Sequence, residues 1–256
     1  MGFPAMDVVK YRKAVFMQDH YVVDDGVSTV RAKLLRGIPI TFHRTVHSVE
    51  ALPSSSSSAE GGIRITWDGG TEAFDRAVLA VNPHIVGKLY RRLGHDMSRI
   101  GCTDVQVVVH NDPTTVQTLF PHTPLTKLSS RAHALSHGKT IIHLLSAAGR
   151  TSATEIHAQA LVTTNPAVPV SASDTIATSS FTRVLRSVTS RRIVNDIVDS
   201  RGSGASDGWR NGDEGVFVVG AWCWDGMVLL EGCVVSAARV ARDGFGICAP
   251  WSVDLV

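Results

Sequence analysis

The residues best arranged for chemistry lie near the end of the chain. Val216 to Val219 is an unbroken apolar run between Gly215 and Gly220, which reads as a short buried strand. Ala221, Trp222 and Asp225-Gly226 form a turn, and an apolar helix rich in small residues follows from Leu229-Leu230-Glu231-Gly232. Leu230, Val234 and Ala238 recur at a spacing of four, with Leu229, Cys233, Ala237 and Ala241 on the neighbouring row. Gly232 and Ser236 remove bulk from one face, so another backbone or a flat ligand can come close. The start of such a helix presents free N–H groups and the positive end of a dipole, which suits a phosphate or an electron-rich ring edge.

Other candidates carry less. Among the 11 histidines, His43 and His47 are four apart, as are His133 and His137. Neither pair has a third acidic or Cys ligand at customary metal spacing, so both read as solvated or hydrogen-bonded surface groups. His110, with Asn111 and Asp112, closes an apolar strand and reads as a polar cluster making turn hydrogen bonds. Cys102, Cys223, Cys233 and Cys248 are far apart and show no C-x-x-C spacing, so free thiols in a reducing, cytoplasmic setting are expected. There is no Gly-x-Ser-x-Gly elbow and no P-loop.

The elements that must position the C-terminal motif are legible upstream. A helix is expected over about Val27 to Arg36, with Val27, Val30, Leu34 and Leu35 on one side. Val46 to Val49 and the alternating Ile63-Arg64-Ile65-Thr66-Trp67 are strands separated by the Ser-rich Pro53–Ser58 break. Asp68-Gly69-Gly70 makes a turn, and Phe74 to Val81 is an apolar strand closed by Asn82-Pro83. The middle of the chain holds strand-like segments at Val105–His110, Thr140–Leu145, Glu155–Thr163 and Phe181–Val188, joined by Pro-bearing turns. That pattern suggests an antiparallel sheet. Asp199 to Glu214 is polar and Gly-bearing and reads as a flexible loop.

Composition sets outer limits. The 256 residues are 44% hydrophobic and 19% charged, enough to bury a core. A net charge of +2, with scattered basic residues, makes no case for a nucleic-acid partner. No secretory leader and no run long enough for a membrane span stand out.

The strand-turn-helix around Gly220 resembles the C-terminal flavin-contacting motif of the FAD-dependent amine-oxidase and phytoene-desaturase superfamily. The Phe74–Pro83 segment is similar to the strand that returns from the three-stranded meander of the same flavoproteins. His20 to Ser28 resembles their aromatic–Gly-Gly loop, with Asp25 in place of the first Gly. The middle looks like that of predicted NAD/FAD-binding amine-oxidase-like proteins. The resemblance implies FAD as cofactor and two-electron oxidation of a small-molecule substrate, in secondary metabolism. It implies that Leu229, Leu230 and Glu231 face the flavin ring. Gly220, Ala221 and Trp222 would lie beside the ribityl and pyrophosphate, and the Val46 backbone would meet adenine. The family's acidic residue after the strand-end Gly is Ala221 here, which leaves that contact in doubt. No catalytic residue and no metal ligand is implied.

One family feature is missing. No Gly-x-Gly-x-x-Gly turn occurs; Gly202-Ser203-Gly204 sits in the polar loop and Gly244-Phe245-Gly246 follows the last helix. The expected fold is therefore α/β (α+β): a partial FAD-binding Rossmann-like domain with a β-meander, plus an antiparallel-sheet substrate domain. The expected layout is a partial FAD-binding region at 1–84, a substrate-type sheet at 85–198, a loop at 199–214 and a returning strand and helix at 215–256. Such a chain is a truncated or split gene product or a degenerate descendant. It is expected to be either an oxidoreductase or a non-catalytic remnant or subunit that does not bind FAD alone and acts only with a partner supplying the dinucleotide-binding half; a homo-oligomer or a complementing chain is the expected protein partner. The resemblance also requires the strands at 76–81 and 216–219 to share one sheet.

Overall fold

The computed structural model describes residues 4, 5, 7, 9, 25–53, 62–112, 114–115, 141–147, 150–156, 160–198 and 208–248. The elements run α1 (Gly26–Leu34), β1 (Val46–Ala51), β2 (Ile63–Trp67), β3 (Gly70–Phe74), β4 (Ala77–Leu79), α2 (Pro83–Leu89) and α3 (Gly94–Ser98). They continue with β5 (Cys102–His110), β6 (Ile141–Ala147), β7 (Arg150–Ile156), β8 (Leu161–Thr164), β9 (Thr175–Val184), α4 (Val188–Val198), β10 (Val216–Val218) and α5 (Leu230–Phe245). The fold is mixed α+β. It forms two compact units, Met1–Cys102 with Val184–Val256, and Thr103–Arg183. Among the described residues, no helix is long and apolar enough to cross a membrane.

In the first unit, β1, β2 and β3 make an antiparallel meander. Trp67 pairs with Gly70, so Asp68-Gly69 is a two-residue hairpin turn, and Gly69 takes the positive φ of 88° that such a turn needs. β4 and β10 pair in parallel, Val216 with Ala77, Phe217 with Val78 and Val218 with Leu79. The two strands thus share one sheet, although about 140 residues of chain separate them. Val49, Ile63, Leu79, Val216 and Val218 meet Val86, Leu93 and Met97 from the 83–98 helices and Ile193, Val194 and Ile197 from α4 in one core. On the other face of β10, Phe217 and Val219 pack with Val240 of α5.

The second unit is a five-stranded sheet in the order β6-β7-β8-β5-β9, with antiparallel pairing of β6 to β7, β7 to β8 and β8 to β5.

Several sequence expectations are corrected. The expected strand over Glu155–Thr163 is two, β7 and β8, which pair antiparallel with Ile156 opposite Leu161. The strand expected at Phe181–Val188 starts earlier, at Thr175, and ends at Val184. Val188 instead opens α4, whose start is fixed by reciprocal hydrogen bonds: Ser190 N–H to Ser187 Oγ (3.0 Å) and Ser187 N–H to Ser190 Oγ (2.7 Å). This is a capping box with Ser in the place usually held by Glu or Gln, so the customary pattern does not flag it. Residues 85–102 and 184–198, grouped by sequence with the substrate-type sheet, belong to the first unit because their apolar side chains complete its core. α1 spans Gly26–Leu34, none of its residues is buried, and Val27, Val30, Leu34 and Leu35 of its expected apolar side are exposed, Val27 and Leu34 the most. The calls on His20–Asp24, Ser54–Ser58, Pro121–Pro124, His133, His137, Thr140 and 199–207 lie outside the described residues.

Candidate functional site

Parallel sheets place ligands at the carboxyl ends of their strands, because connecting loops and helix N-termini gather there. In this chain that end is built from the residues after Leu79 and after Val218. Val219 N–H donates to Leu79 O (3.1 Å), carrying the parallel ladder one residue beyond β10. Gly220 then takes φ of +144°, a conformation that side-chain-bearing residues rarely adopt. Its N–H donates to Ser236 Oγ (3.0 Å), and the same hydroxyl donates back to Gly220 O (3.2 Å). The strand end is thereby fastened to the second turn of α5.

The helix start is drawn in equally tightly. A Cβ on Gly232 would stand 2.5 Å from Ala221 O and 2.5 Å from Trp224 Nε1. The sequence expectation of a close backbone approach at Gly232 holds, and the approaching backbone is the chain's own Ala221. The buried stripe of α5 is Gly232, Val235, Ser236 and Val240. Leu230 and Val234, the larger apolar residues of the row whose spacing marks the helix, are exposed, Leu230 at 80%. The apolar pattern runs nearly all round this helix, so spacing alone did not select the face; the small residues did.

Trp222 does not wall a pocket. It is only 3% exposed, and its indole N–H donates to Val81 O (3.1 Å), so it pins the loop to the end of β4 from inside the core. Trp224 Nε1 donates to Met227 O (2.7 Å). Burial pushes the Cys223 thiol up, which makes it an inert core thiol rather than a nucleophile.

The loop has a further organiser that the sequence did not announce. Arg186 is buried and aims Nη2 at three loop carbonyls, Trp222 O (3.4 Å), Trp224 O (2.8 Å) and Gly226 O (2.6 Å). Its Nε lies 3.8 Å from Oδ2 of Asp7, a fully buried carboxylate. Arg191 Nη1 lies 3.0 Å from Asp7 Oδ1, and Arg191 Nε donates to Asp225 Oδ1 at 2.6 Å. Arginine is ordinarily a surface residue, so nothing in the local pattern marks Arg186 as a buried hub.

Six of the expected site residues, Gly220, Ala221, Trp222, Leu229, Leu230 and Glu231, therefore share this strand-loop-helix unit. Val46 is apart from them, at the start of the meander's edge strand β1, in register with Trp67. Helix α5 has no side-chain N-cap, which leaves its first N–H groups without a capping side chain.

A cleft of about 900 Å³ sits at the opposite, amino-terminal end of β4 and β10. Asp75, Arg76, Arg210, Glu214, Arg239 and Asp243 line it, three acids and three bases. Glu214 accepts hydrogen bonds there from Tyr90 Oη and from Arg92, and burial together with Glu214 pushes the Tyr90 phenol up. In the second unit His110 is fully buried and bonds Thr163 Oγ1 through Nε2 (2.8 Å), with Nδ1 facing Asp112 N–H (3.3 Å). Asp112 accepts from Thr114 N–H, Thr114 Oγ1 and Ser171 N–H, which holds its carboxyl down at about 2. This cluster bonds the ends of β5 as the sequence implied. His47 pairs with Asp68 on the exposed hairpin and holds the Asp68 carboxyl low.

Compared with known proteins, the chain matches no family model and no curated protein.

Proposed function

We propose that this chain is the ring-side part of an FAD-dependent oxidoreductase of the amine-oxidase-like kind, with a partial Rossmann-like sheet in its first unit and a substrate-type sheet in its second. The observation that carries this reading is the parallel pair β4–β10, whose carboxyl ends run into Gly220 and the uncapped start of α5 beside an antiparallel meander. A ring placed there would meet the first-turn N–H groups of Leu230 and Glu231 and the positive end of the α5 dipole. Both favour negative charge on a reduced cofactor.

The residues fit one half of the cofactor. The exposed Leu229 and Leu230 leave an apolar surface open at the helix start, as a flat ring requires. The nucleotide side fits poorly. Gly220 N–H is taken by Ser236, Trp222 is in the core, and no glycine-rich turn is available for a pyrophosphate. When bound, FAD would supply two-electron oxidation of a C–N, C–C or C–O bond in a small organic substrate. This chain's contribution is to hold the ring, to set its electrostatics and to cover one side of it.

The experiment is a binding titration on the purified protein with FAD, FMN, riboflavin and ADP, followed by quenching of flavin fluorescence and, for ADP, by calorimetry. If the chain grips the ring alone, the three flavins bind with similar, weak affinity and ADP does not bind. Binding of ADP without riboflavin would overturn the placement of the ring at α5.

A second reading is favoured by one observation. Val78, on the face of β4 that α5 leaves uncovered, is 44% exposed in the middle of a parallel strand. Parallel sheets are ordinarily covered on both faces. On this reading the chain is a non-catalytic remnant or a subunit that needs a complementing chain, and none of the flavins binds to it alone.

A further inference from the structure

Strand β9, the last of its sheet, is open on both faces and along one edge. The sheet order places it beside β5, with no strand beyond it among the described residues. All six residues from Ile176 to Phe181 are exposed. Successive side chains alternate between faces, so Ile176, Thr178 and Ser180 lie on one side and Ala177, Ser179 and Phe181 on the other. Each side carries a large apolar group in water, Ile176 at 59% and Phe181 at 44% exposure. An antiparallel strand ordinarily packs one face on a core. Over these six residues β9 packs neither.

The usual protections of such an edge are missing. Edge strands are commonly kept short or carry Lys or Pro, which discourages pairing with another chain. β9 runs for ten residues, Thr175–Val184, and holds no Pro, Gly or Lys. Its Thr, Ile, Phe and Val residues favour strand pairing. Charge is confined to the two ends: Asp174 immediately precedes the strand, and Arg183 is its only charged residue. That pattern complements itself in one direction only. A second β9 running antiparallel brings the Asp174 end of each copy to the Arg183 end of the other, whereas a parallel copy sets like charges together.

We propose that β9 is a self-association edge, at which two copies of this chain pair their β9 strands antiparallel about a two-fold axis through Ser179 and join two five-stranded sheets into one. Centring the axis on Ser179 keeps nearly the whole strand in register. Phe181 then faces Ala177 of the other copy, so each ring covers a small side chain, while Ile176 faces Thr182 and Thr178 faces Ser180. Each copy uses its outer edge once, so assembly closes at the dimer. Strand pairing alone buries less than a standard interface, so a dissociation constant on the order of 10–100 μM is expected. The inference depends neither on a flavin nor on a chain that completes the β4–β10 sheet.

The test is sedimentation velocity of the full chain from about 5 to about 500 μM. Wild type should pass from monomer to dimer across that range and go no further. Ser179→Lys sets like charges opposite each other at the axis and should weaken association at least about tenfold. Arg183→Glu should weaken it as well. The double variant Asp174→Lys with Arg183→Glu should recover it, because the reversed ends attract again. Ser179 and Arg183 are exposed, so the single variants should melt as wild type does when all are dilute; should one melt early, Thr178→Lys, at another exposed position, takes its place. Val78→Lys, which alters the other unit, should dimerise like wild type. A chain still monomeric at about 500 μM would overturn the proposal, as would a dimer that survives Ser179→Lys. So would a double variant that stays monomeric, a dimer lost in Val78→Lys, or assembly that grows beyond two copies.

Discussion

Asn211 completes the outer edge of β10 by pairing with Val218 as a neighbouring strand would: its side-chain amide donates to Val218 O (3.0 Å) and accepts from Val218 N–H (2.7 Å). Gly212 N–H adds a bond to Val216 O (2.9 Å), and Asn211 N–H is itself fixed to Ile197 O (2.9 Å). The polar groups on that side of β10 are satisfied from within the chain, which protects a sheet edge from pairing with another molecule. Asn211→Ala should strip two partners from buried backbone groups at once. A loss of about 2–4 kcal/mol is expected. Asn211→Asp keeps an acceptor for Val218 N–H but sets a carboxylate oxygen against Val218 O, so it should not restore stability. Chemical denaturation of the two variants checks this; an Asn211→Ala protein as stable as wild type would show that the edge needs no such closure.

The fit between Gly232 and Ala221 yields a second prediction. A methyl group at position 232 would stand 2.5 Å from a backbone oxygen that cannot swing away. Ala is the better helix former by about 1 kcal/mol, so an unconstrained site would gain from Gly232→Ala. Overpacking is expected to outweigh that gain and leave the variant about 1–3 kcal/mol less stable. Gly232→Leu should be worse, and if the chain binds a flavin ring at the start of α5 it should abolish that binding. A stabilised Gly232→Ala protein would mean that the loop and helix start sit further apart than described.

How much of this was legible in the sequence depended on the range of the interactions involved. The Asp68-Gly69 hairpin and the apolar runs of β4 and β10 declare themselves locally, through turn chemistry and hydrophobic pattern. That β4 and β10 share one sheet was required by the flavoprotein resemblance and not by either strand, and their parallel pairing is seen only in the structure. On α5 the face that packs is the one the sequence marks through Gly232 and Ser236, which admit backbone, and not the one that carries the larger Leu230 and Val234. Arg186, Asp7 and Asn211 were missed for a different reason. Each does its work through partners remote in sequence, and a charged or amide residue in a polar stretch carries no local sign of burial. Val188–Val198 was concealed by a cap made of two serines.

The buried pair His110 and Asp112 makes the second unit acid-sensitive in two windows. Burial lowers the His110 pKa below its ordinary 6.5, so the unfolded chain takes up the proton first. The stability this neutral imidazole carries is present in full above about pH 6.5 and is lost as the pH falls below it. Asp112 titrates at about 2 against an ordinary 3.8, chiefly because Thr114 and Ser171 donate to it. Its contribution is present above pH 3.8 and is lost as the pH falls toward 2. His110→Gln, which retains a donor for Thr163 without titrating, should flatten the first window and leave the second unchanged. Melting temperatures followed from pH 8 to about pH 2 check this, and an equally steep decline below about pH 6.5 in the variant would assign that window to another group.

Phe217 and Val78 are neighbours across the parallel sheet and point to the same face, yet the structure treats them oppositely. Phe217 is 7% exposed, packs beside Val240 of α5 and lies 5.4 Å, ring to ring, from Phe245. Val78 has no such cover and is 44% exposed. Helix α5 shields Phe217 of β10 and leaves Val78 of β4 open. Phe217→Ala should therefore cost about 3–5 kcal/mol, whereas Val78→Lys should change stability by less than about 0.5 kcal/mol in the isolated chain. With the β10 edge closed by Asn211, any strand or chain that completes this sheet must come to β4. Val78→Lys should then be harmless alone and block association with such a partner, and unfolding of the isolated variant, compared with light scattering of wild type, separates the two effects. A large loss of stability in isolated Val78→Lys would mean that this chain already covers that face, and the need for a complementing partner would lose its support.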